Sequence, residues 1–191
     1  MTETPNPAAI SADTLTGEMH PIRRTVISIG SNLGDRMFYL QGAVDALSDT
    51  PDVWLTGVSS VYETEPVDAP AGSEDYLNAI VTVDTTLSAR TLLERALAIE
   101  SAYGRDRGGD VEVNAPRTLD VDLIVVGDRH ADDEFLTLPH PRAAERAFVL
   151  VPWFEVEPDA SIPGYGAIAE LLEKTGSDGV NRREDLTLDL Q

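Results

Sequence analysis

The sequence predicts an α+β fold of the ferredoxin-like type, in which two βαβ units share one antiparallel sheet with helices packed on one face of it. Three observations predict this fold: short runs rich in β-branched residues, two segments with apolar residues three and four apart, and the order of these segments, βαββαβ. The chain has 191 residues, 42% of them hydrophobic. One domain of this size buries a core without disulfides.

The first half of the pattern is a strand, a helix and two further strands. Residues 25–30 (TVISIG) form a short β-branched run that ends at a glycine. Asp35 is placed to cap a helix whose apolar positions recur from residue 37 to residue 47. The segments 52–62 and 76–86 alternate and are rich in strand-forming residues. We expect them to pair across the loop that joins them.

The second half supplies the remaining helix and strand. Ser88 is a helix cap, and the apolar spacing that follows predicts a helix up to residue 103, which Gly104 ends. An irregular charged stretch, 105–117, leads into a β-branched run at 119–126. This run is the fourth strand of the βαββαβ unit.

The chain is expected to hold one domain with a polar tail at each end. Residues 1–22 contain prolines and acids without periodicity, which predicts a disordered N-terminal tail. The domain is assigned to residues 23–176, and it includes a short helix after Pro141 and another at 166–175. Residues 177–191 are polar and acidic, and we expect a loose C-terminal tail there.

Charge and composition exclude several classes of protein. The chain has 34 acidic and 14 basic residues, a net charge of −20, which disfavours nucleic acid and anionic membranes as partners. It has no cysteine, so disulfides and thiolate metal sites are excluded. It also has no apolar run close to the roughly 20 residues of a membrane span, and no signal-peptide pattern at its start. We therefore expect a cytoplasmic protein.

The pair Asp120 and Asp122 is the sharpest chemical signal. Alternate residues of a strand share a face, so both carboxylates point the same way, about 7 Å apart, while Val121 points to the other side. Two Mg²⁺ ions about 3.5 to 4 Å apart would compensate such a pair of charges. The alternative is an edge strand whose two acids face solvent, and the spacing alone leaves both interpretations open.

Basic residues are concentrated around this acidic pair, although the chain as a whole is strongly acidic. They are Arg105, Arg107 and Arg117 before the fourth strand, and Arg142 and Arg146 after it. His140 stands between two prolines that restrict its backbone. The set is typical of a site for polyphosphate and Mg²⁺. Surface arginines that pair with neighbouring acids, and an ordinary turn histidine, are the alternatives.

A second pattern suits a flat ligand. Tyr76 and Asn78 share one face of the third strand, and Phe148 could supply a second aromatic wall. A heterocycle between two rings with an amide at its edge makes a sensible pocket. Aromatic core residues with an edge asparagine are the alternative interpretation.

Together these segments resemble the 6-hydroxymethyl-7,8-dihydropterin pyrophosphokinase family of folate biosynthesis. They follow the family's order from about residue 25 to residue 163, which is nearly the whole folded part. The matching segments are 29–35 (IGSNLGD), 59–64 (SSVYET), 76–78 (YLN), 99–100 (IE), 104–107 (GRDR), 116–122 (PRTLDVD), 138–141 (LPHP) and 146–150 (RAFVL). The PRTLDVD and LPHP elements are the most specific.

The resemblance implies a kinase that transfers the pyrophosphoryl group of ATP to the hydroxymethyl oxygen of the dihydropterin and releases AMP. It implies that Asp120 and Asp122 hold two Mg²⁺ ions and that Arg105 and Arg117 neutralise the transferred group. The ATP contacts it implies are Glu100, Arg107, the backbone around Leu123, His140 and Arg146. The pterin contacts it implies are Thr64, Val67, Tyr76, Asn78 and Phe148.

Two features depart from the family pattern. Asn114 and Ala115 stand where the family usually has tryptophan and glycine before Pro-Arg, and Glu65 stands where proline is common. A catalytically silent ferredoxin-like domain that binds a nucleotide for regulation is therefore the alternative to the enzyme. A third interpretation, an acidic interaction module, leaves the ordered motifs unexplained. We expect a monomer or a weak oligomer.

Overall fold

The computed structural model describes residues 10–12, 19–66, 72–104 and 116–190. The strands are β1 Ile10–Ala12, β2 Met19–Pro21, β3 Arg23–Ser31, β4 Val53–Val58, β5 Tyr62–Thr64, β6 Tyr76–Thr85, β7 Asp120–Val126, β8 Ala131–Asp132, β9 Thr137–Leu138, β10 Ser161–Ile162, β11 Gly166–Ala167 and β12 Val180–Arg182. The helices are α1 Arg36–Ser48, α2 Ala89–Ala102, α3 Ala147–Val156 and α4 Ile168–Thr175, and a 3-10 turn spans Ala143–Glu145.

The central sheet is antiparallel and has the order β12-β5-β6-β3-β7, with β4 also paired to β6. This order confirms the ferredoxin-like α+β prediction. The strand expected at 52–62 is divided into β4 and β5. Val58 pairs with Val81, whereas Tyr62 pairs with Asn78, so one extra residue lies between the two strands. Such an extra residue interrupts the ladder as a bulge does.

Local capping sets the ends of the two helices of the βαββαβ unit. The Asp35 side chain accepts a hydrogen bond of 3.1 Å from the backbone N–H of Phe38 at the start of α1. Ser88 accepts one of 3.1 Å from Thr91 at the start of α2. After α2, Gly104 has a φ of 81°, a left-handed conformation that glycine adopts readily. These are the caps and the stop that the sequence predicts.

The two faces of the sheet carry different helices. Ile27 and Ile29 on β3 face the core cluster beneath α1 and α2. Val26 and Ile80 face the other cluster, beneath α3 and α4, where Trp153 is 1% exposed. Helices α3 and α4 therefore cover the face that the βαββαβ unit leaves open. At one end of this second face, polar side chains replace the apolar ones and a cavity opens.

The C-terminal segment corrects one prediction. Instead of a loose tail at 177–191, β12 adds a strand to the sheet by pairing with β5, and Leu186 and Leu188 pack against the core. Main-chain pairing and charged contacts hold the first part of this segment, and neither produces an apolar periodicity in the sequence. Leu186 and Leu188 do alternate with polar residues, and the expectation of a loose tail overlooked this short pattern. At the other end, β1 and β2 pair with each other within the segment expected to be disordered.

A search of the described part of the chain finds no helix with the length and apolar character needed to cross a membrane.

A buried carboxylate joins α2 to β7. Glu100 is 1% exposed, and its Oε1 accepts a hydrogen bond of 2.8 Å from the backbone N–H of Val121. Val121 lies between the two aspartates of the conspicuous pair. Because a buried N–H without an acceptor is costly, this contact fixes the start of β7 from the side opposite the cavity.

We predict that Glu100→Ala lowers the free energy of unfolding by about 1–3 kcal/mol, the cost of an unsatisfied buried group. Glu100→Gln keeps an oxygen acceptor and should lose less. Urea denaturation measures the effect. The control is Glu94→Ala on the exposed side of the same helix, where the Glu94 side chain is 65% exposed. A Glu100→Ala variant as stable as the control would contradict this structural role.

Candidate active site

A cavity of about 500 Å³ lies between the second face of the sheet and the start of α3. Its floor is a row of residues that are directly opposite one another on neighbouring strands. Gly30 on β3 is the centre of this row, with Asp120 of β7 on one side and Asn78 of β6 on the other. Tyr62 of β5, opposite Asn78, continues the row outside the cavity. One end of the floor is therefore acidic, and the other end carries an amide.

The structure places Asp120 and Asp122 on the cavity side of β7, while Val121 is 4% exposed in the core on the opposite side. The alternation predicted from the sequence is confirmed. β7 is the edge strand of the sheet, and its two aspartates line the cavity. Within the described residues, no group of three or more histidine, aspartate or glutamate side chains forms a metal site on its own. Mg²⁺ is usually bound by one or two protein carboxylates, substrate phosphates and water. Two carboxylates that line a cavity with space for phosphate groups fit this pattern.

Arg117 forms an ion pair with the first aspartate of this pair. Its Nη1 lies 3.0 Å from Oδ2 of Asp120, and the Asp120 side chain is 20% exposed. Burial opposes the charge of Arg117, but attraction by Asp120, Tyr76 and Asp122 raises the pKa of its guanidinium above the ordinary value. Arg117 is thus a permanent positive charge at the acidic end of the cavity.

Asn32 fixes the backbone of Arg117, and the sequence analysis gave it no role. Its Oδ1 accepts a hydrogen bond of 2.8 Å from the Arg117 N–H, and its own N–H donates to the Arg117 carbonyl oxygen at 3.1 Å. Its Nδ2 donates to the carbonyl oxygen of Glu74 at 3.3 Å. The signal was present in the IGSNLGD segment as a polar residue directly after a buried strand. Asn32 is 1% exposed.

Arg142 and Arg146 approach from the opposite wall. Arg146 precedes the first turn of α3, and its Cζ lies 5.4 Å from the ring centre of Phe148. Burial and the neighbouring charge of Arg142 lower the pKa of Arg146. In the part of the chain that is described, neither arginine forms an ion pair with a carboxylate. Two guanidiniums held close together favour an anion between them.

His140 stands behind these arginines instead of lining the cavity. Its Nδ1 accepts a hydrogen bond of 3.2 Å from the Arg142 N–H, and its backbone N–H donates to Ile124 at 2.8 Å. Burial, followed by the charge of Arg146, lowers the pKa of the imidazole. A neutral His140 that accepts at Nδ1 carries its proton on Nε2. It holds the backbone of Arg142 in place.

The other end of the cavity is less charged. Asn78 donates from Nδ2 to Thr64 Oγ1 at 2.8 Å, which fixes the orientation of its amide. A Cβ at Gly30 would lie only 3.1 Å from Asn78 Oδ1, so the missing side chain keeps the floor low at this point. Tyr76 and Phe148 line the same space. This end can accept a flat group with a hydrogen-bond donor at its edge.

Some of the residues expected at the site lie elsewhere. The side chain of Glu100 is in the core beneath α1 and α2, on the other face of the sheet. The Leu123 side chain also packs there, which leaves only its backbone, the part expected to contact ATP, available to a ligand. Val67, Arg105 and Arg107 lie outside the described residues. The described members of the expected set that line the cavity are Thr64, Tyr76, Asn78, Arg117, Asp120, Asp122, Arg146 and Phe148.

The C-terminal segment supplies a wall that the sequence analysis missed. Asp178, Gly179, Val180 and Asn181 all line the cavity next to Thr64. Their polar sequence has no apolar pattern that would have indicated a folded strand.

Comparison of the sequence with known families gives a match to the model of 7,8-dihydro-6-hydroxymethylpterin-pyrophosphokinase (HPPK) over residues 26–158. Three similar proteins are each named 2-amino-4-hydroxy-6-hydroxymethyldihydropteridine pyrophosphokinase. The one from Methylorubrum extorquens is 39% identical over 161 residues, covering 84% of this chain and 99% of the relative. The one from Mycobacterium leprae is 40% identical, covering 88% and 92%. The one from Bacillus subtilis is 43% identical, covering 68% and 75%.

Solved structures agree on the fold. The HPPK-DHPS of Plasmodium falciparum, crystallised as a triple mutant with pteroate, superposes with a TM-score of 0.64 at 12% sequence identity. The alignment covers 88% of this chain, which spans about half (48%) of the length of that protein. The wild-type protein with pteroate gives the same TM-score, 0.64, at 14% identity.

We predict that the His140 imidazole titrates below its ordinary pKa of 6.5, because burial and Arg146 oppose its charge. As the pH falls below 6.5, the unfolded chain takes up a proton that the folded chain resists, so His140 lowers the free energy of unfolding until its folded pKa is reached. NMR titration of the ring protons measures the pKa.

The matching variant is His140→Gln, which should lose less unfolding free energy than the parent protein between pH 7 and pH 5. An imidazole that titrates at or above 6.5 would contradict the structural assignment.

Proposed function

The chain belongs to the 7,8-dihydro-6-hydroxymethylpterin-pyrophosphokinase family, and we propose that the cavity beneath α3 is where its two substrates meet. The chain is an enzyme of folate biosynthesis. It transfers the pyrophosphoryl group of ATP to 6-hydroxymethyl-7,8-dihydropterin, which yields the pterin diphosphate and AMP. Family membership over residues 26–158 disfavours the silent nucleotide-binding alternative.

One observation carries the assignment of this cavity to pyrophosphoryl transfer. In a chain with a net charge of −20, the cavity that contains Asp120 and Asp122 is also lined by three arginines. They are Arg117, Arg142 and Arg146. A triphosphate satisfies both sets of charges, because its oxygens pair with guanidiniums and share cations with the carboxylates.

Asp120 and Asp122 are proposed to hold two Mg²⁺ ions together with the phosphate oxygens of ATP. When bound there, Mg²⁺ would neutralise the charge that accumulates on the phosphate oxygens during transfer. Their position on a central-sheet strand, fixed from behind by Glu100 through Val121, suits this role. Rigid elements hold such ligands more precisely than loops do.

Arg117 and Arg105 are proposed to neutralise the transferred group, and Arg146 and Arg142 to bind phosphate oxygens from the opposite wall. Charge develops on the equatorial and leaving oxygens at the transition state, so fixed guanidiniums act there without forming a covalent bond. Asn32 positions Arg117, and His140 positions Arg142 through its backbone. Arg107 and the backbone at Leu123 are the remaining residues expected near ATP.

The dihydropterin is proposed to lie at the other end, between Tyr76 and Phe148, with Asn78 at its edge. Asn78 Nδ2 donates one of its two hydrogens to Thr64. Its Oδ1 can accept a hydrogen bond from the ring, and the second hydrogen of Nδ2 can still be donated. This placement points the hydroxymethyl group toward the acidic end of the floor. The backbone between Thr64 and Val67 is expected to complete the ring contacts. No side chain is needed as a covalent nucleophile.

We also propose that the protein acts in the cytoplasm as a monomer or weak oligomer, without nucleic acid or membrane partners. Its acidic composition supports this, since a net charge of −20 repels both kinds of anionic surface.

The direct test is product analysis after incubation with ATP, Mg²⁺ and hydroxymethyl-dihydropterin. We expect AMP and a diphosphorylated pterin in equal amounts, and no AMP when the pterin is omitted. Absence of AMP at saturating Mg²⁺, with ATP still bound in calorimetry, would instead support the silent regulatory domain.

We predict that Asp120→Asn and Asp122→Asn each lower the turnover number at least roughly a hundredfold, because each removes a major electrostatic contact of the transition state. The substitution keeps side-chain size, so the fold should persist by circular dichroism. Asp132→Asn, a change of an exposed aspartate on β8 outside the cavity, is the control and should keep full turnover. Near-normal turnover of either cavity variant would refute the metal assignment.

A further inference from the structure

The cavity has a wall made by residues outside the family match. The match ends at residue 158, whereas the segment 178–190, here named the C-terminal strap, adds β12 to the sheet and lines the cavity. We propose that this strap forms the outer wall of the dihydropterin half of the site, with Val180 as a substrate-contacting specificity residue and Arg183 as a positioning residue. The proposal rests on the function proposed above.

The register of β12 places Val180 at the cavity. Val180 is directly opposite Thr64 on β5, and Thr64 is directly opposite Tyr76 on β6. The three therefore form a cross-strand row on the same face, two residues along from the row of Asn78 and Gly30. All three line the cavity, and the Val180 side chain is half-buried. An apolar group at this point shields one edge of a ring bound over Tyr76 from water.

Contacts on both sides of β12 hold the row in place. Residues 180 and 182 share the cavity face, since alternate residues of a strand point the same way. Arg182 Nη2 lies 3.8 Å from Glu155 Oε1 on α3, and the Tyr62 hydroxyl donates to Glu155 Oε2 at 3.0 Å. Helix α3, whose first turn carries Phe148, thus contacts the strap from the cavity side.

On the opposite face, Arg183 joins the strap to the rest of the domain. Its Nη1 donates to Glu63 Oε2 at 2.9 Å, and Glu63 Oε1 accepts from Arg36 of α1 at 3.0 Å. The Arg183 N–H donates to the Val61 carbonyl oxygen at 2.9 Å. Glu63 therefore lies between two guanidiniums, and it connects β12, β5 and α1 directly beneath the row of Val180.

The far end of the strap is held independently. Gln41 of α1 accepts a hydrogen bond from the Asp189 N–H and donates to the Asp189 carbonyl oxygen, both at 2.9 Å. Leu186 and Leu188 pack against the core. A single substitution at Val180 or Arg183 consequently leaves most of the strap attached.

The sheet order separates the strap from the phosphate end. β12 and β7 are at opposite ends of the order β12-β5-β6-β3-β7, so three strands lie between Val180 and the aspartate pair. A wall at β12 should therefore act on pterin binding and leave ATP binding unchanged. This selectivity distinguishes a wall of the pterin half from a merely structural strap.

The experiment compares KM for the pterin, KM for ATP and the turnover number in single variants of the full chain. We expect Val180→Asp to raise the pterin KM about tenfold, the scale of a lost apolar contact in a pocket, while KM for ATP and turnover stay within about twofold. Val180→Ile, which keeps an apolar wall, should retain a KM near that of the parent.

Three further variants distinguish a wall of the pterin site from a part that only stabilises the fold. Arg183→Ala should raise the pterin KM alone, and Arg183→Lys should restore it in part, since lysine can still pair with Glu63. Val58→Ala truncates a half-buried valine on β4, outside the cavity. This control variant should lower the stability of the protein and leave the KM for the pterin unchanged.

An unchanged KM for the pterin in Val180→Asp would overturn the proposal. A rise in both KM values with a fall in the turnover number and a lower melting temperature would also overturn it. If the parent protein forms no AMP, the proposed function fails. The role of the strap is then tested separately by calorimetry, which compares pterin binding to the parent protein and to Val180→Asp. Weaker pterin binding in the variant supports it, whereas equal binding, or no binding to the parent, overturns it.

Discussion

The alternation of side chains along β7 determines the chemistry of this molecule. Val121 has to face the core beneath α1 and α2, where it is 4% exposed, so Asp120 and Asp122 have to face the other side. A shift of the strand by one residue would bury both carboxylates and expose Val121, at a large cost in desolvation. The buried Glu100, which accepts from the Val121 N–H, fixes this register at the point where the aspartates emerge.

The arrangement around the aspartates is electrostatically incomplete without a ligand. Arg117 pairs with Asp120 at 3.0 Å, yet Arg142 and Arg146 remain beside each other on the opposite wall, and their mutual repulsion contributes to the lowered pKa of Arg146. Binding of a polyphosphate with divalent cations relieves both the repulsion between the carboxylates and that between the guanidiniums. The site therefore favours a ligand that carries both signs of charge at this spacing, as magnesium-bound ATP does.

The sequence predicted the parts of the structure that follow from local rules. The caps at Asp35 and Ser88, the fold class and the common face of Asp120 and Asp122 all depend on periodicity or on single residues near helix ends, and the structure confirms them. The cavity-lining part of the strap was missed because Val180 joins the sheet by main-chain pairing and Arg183 by ion pairs, neither of which leaves an apolar pattern. The alternation of Leu186 and Leu188 further along was a signal that was overlooked. Asn32 was missed because its partner Arg117 is distant in sequence, and Glu100 was misplaced because family resemblance does not reveal which face of a sheet a side chain serves. The roles of individual site residues remain predictions.

The most direct measurement of the central claim is a crystal structure of the protein with Mg²⁺ and an ATP analogue that resists transfer. We expect the β- and γ-phosphate groups to lie between Asp120 and Asp122 on one side and Arg146 on the other, with cations between the carboxylates and the phosphate oxygens. A triphosphate bound on another surface, with the aspartate pair more than about 10 Å away and thus beyond the screening length of physiological salt, would contradict it.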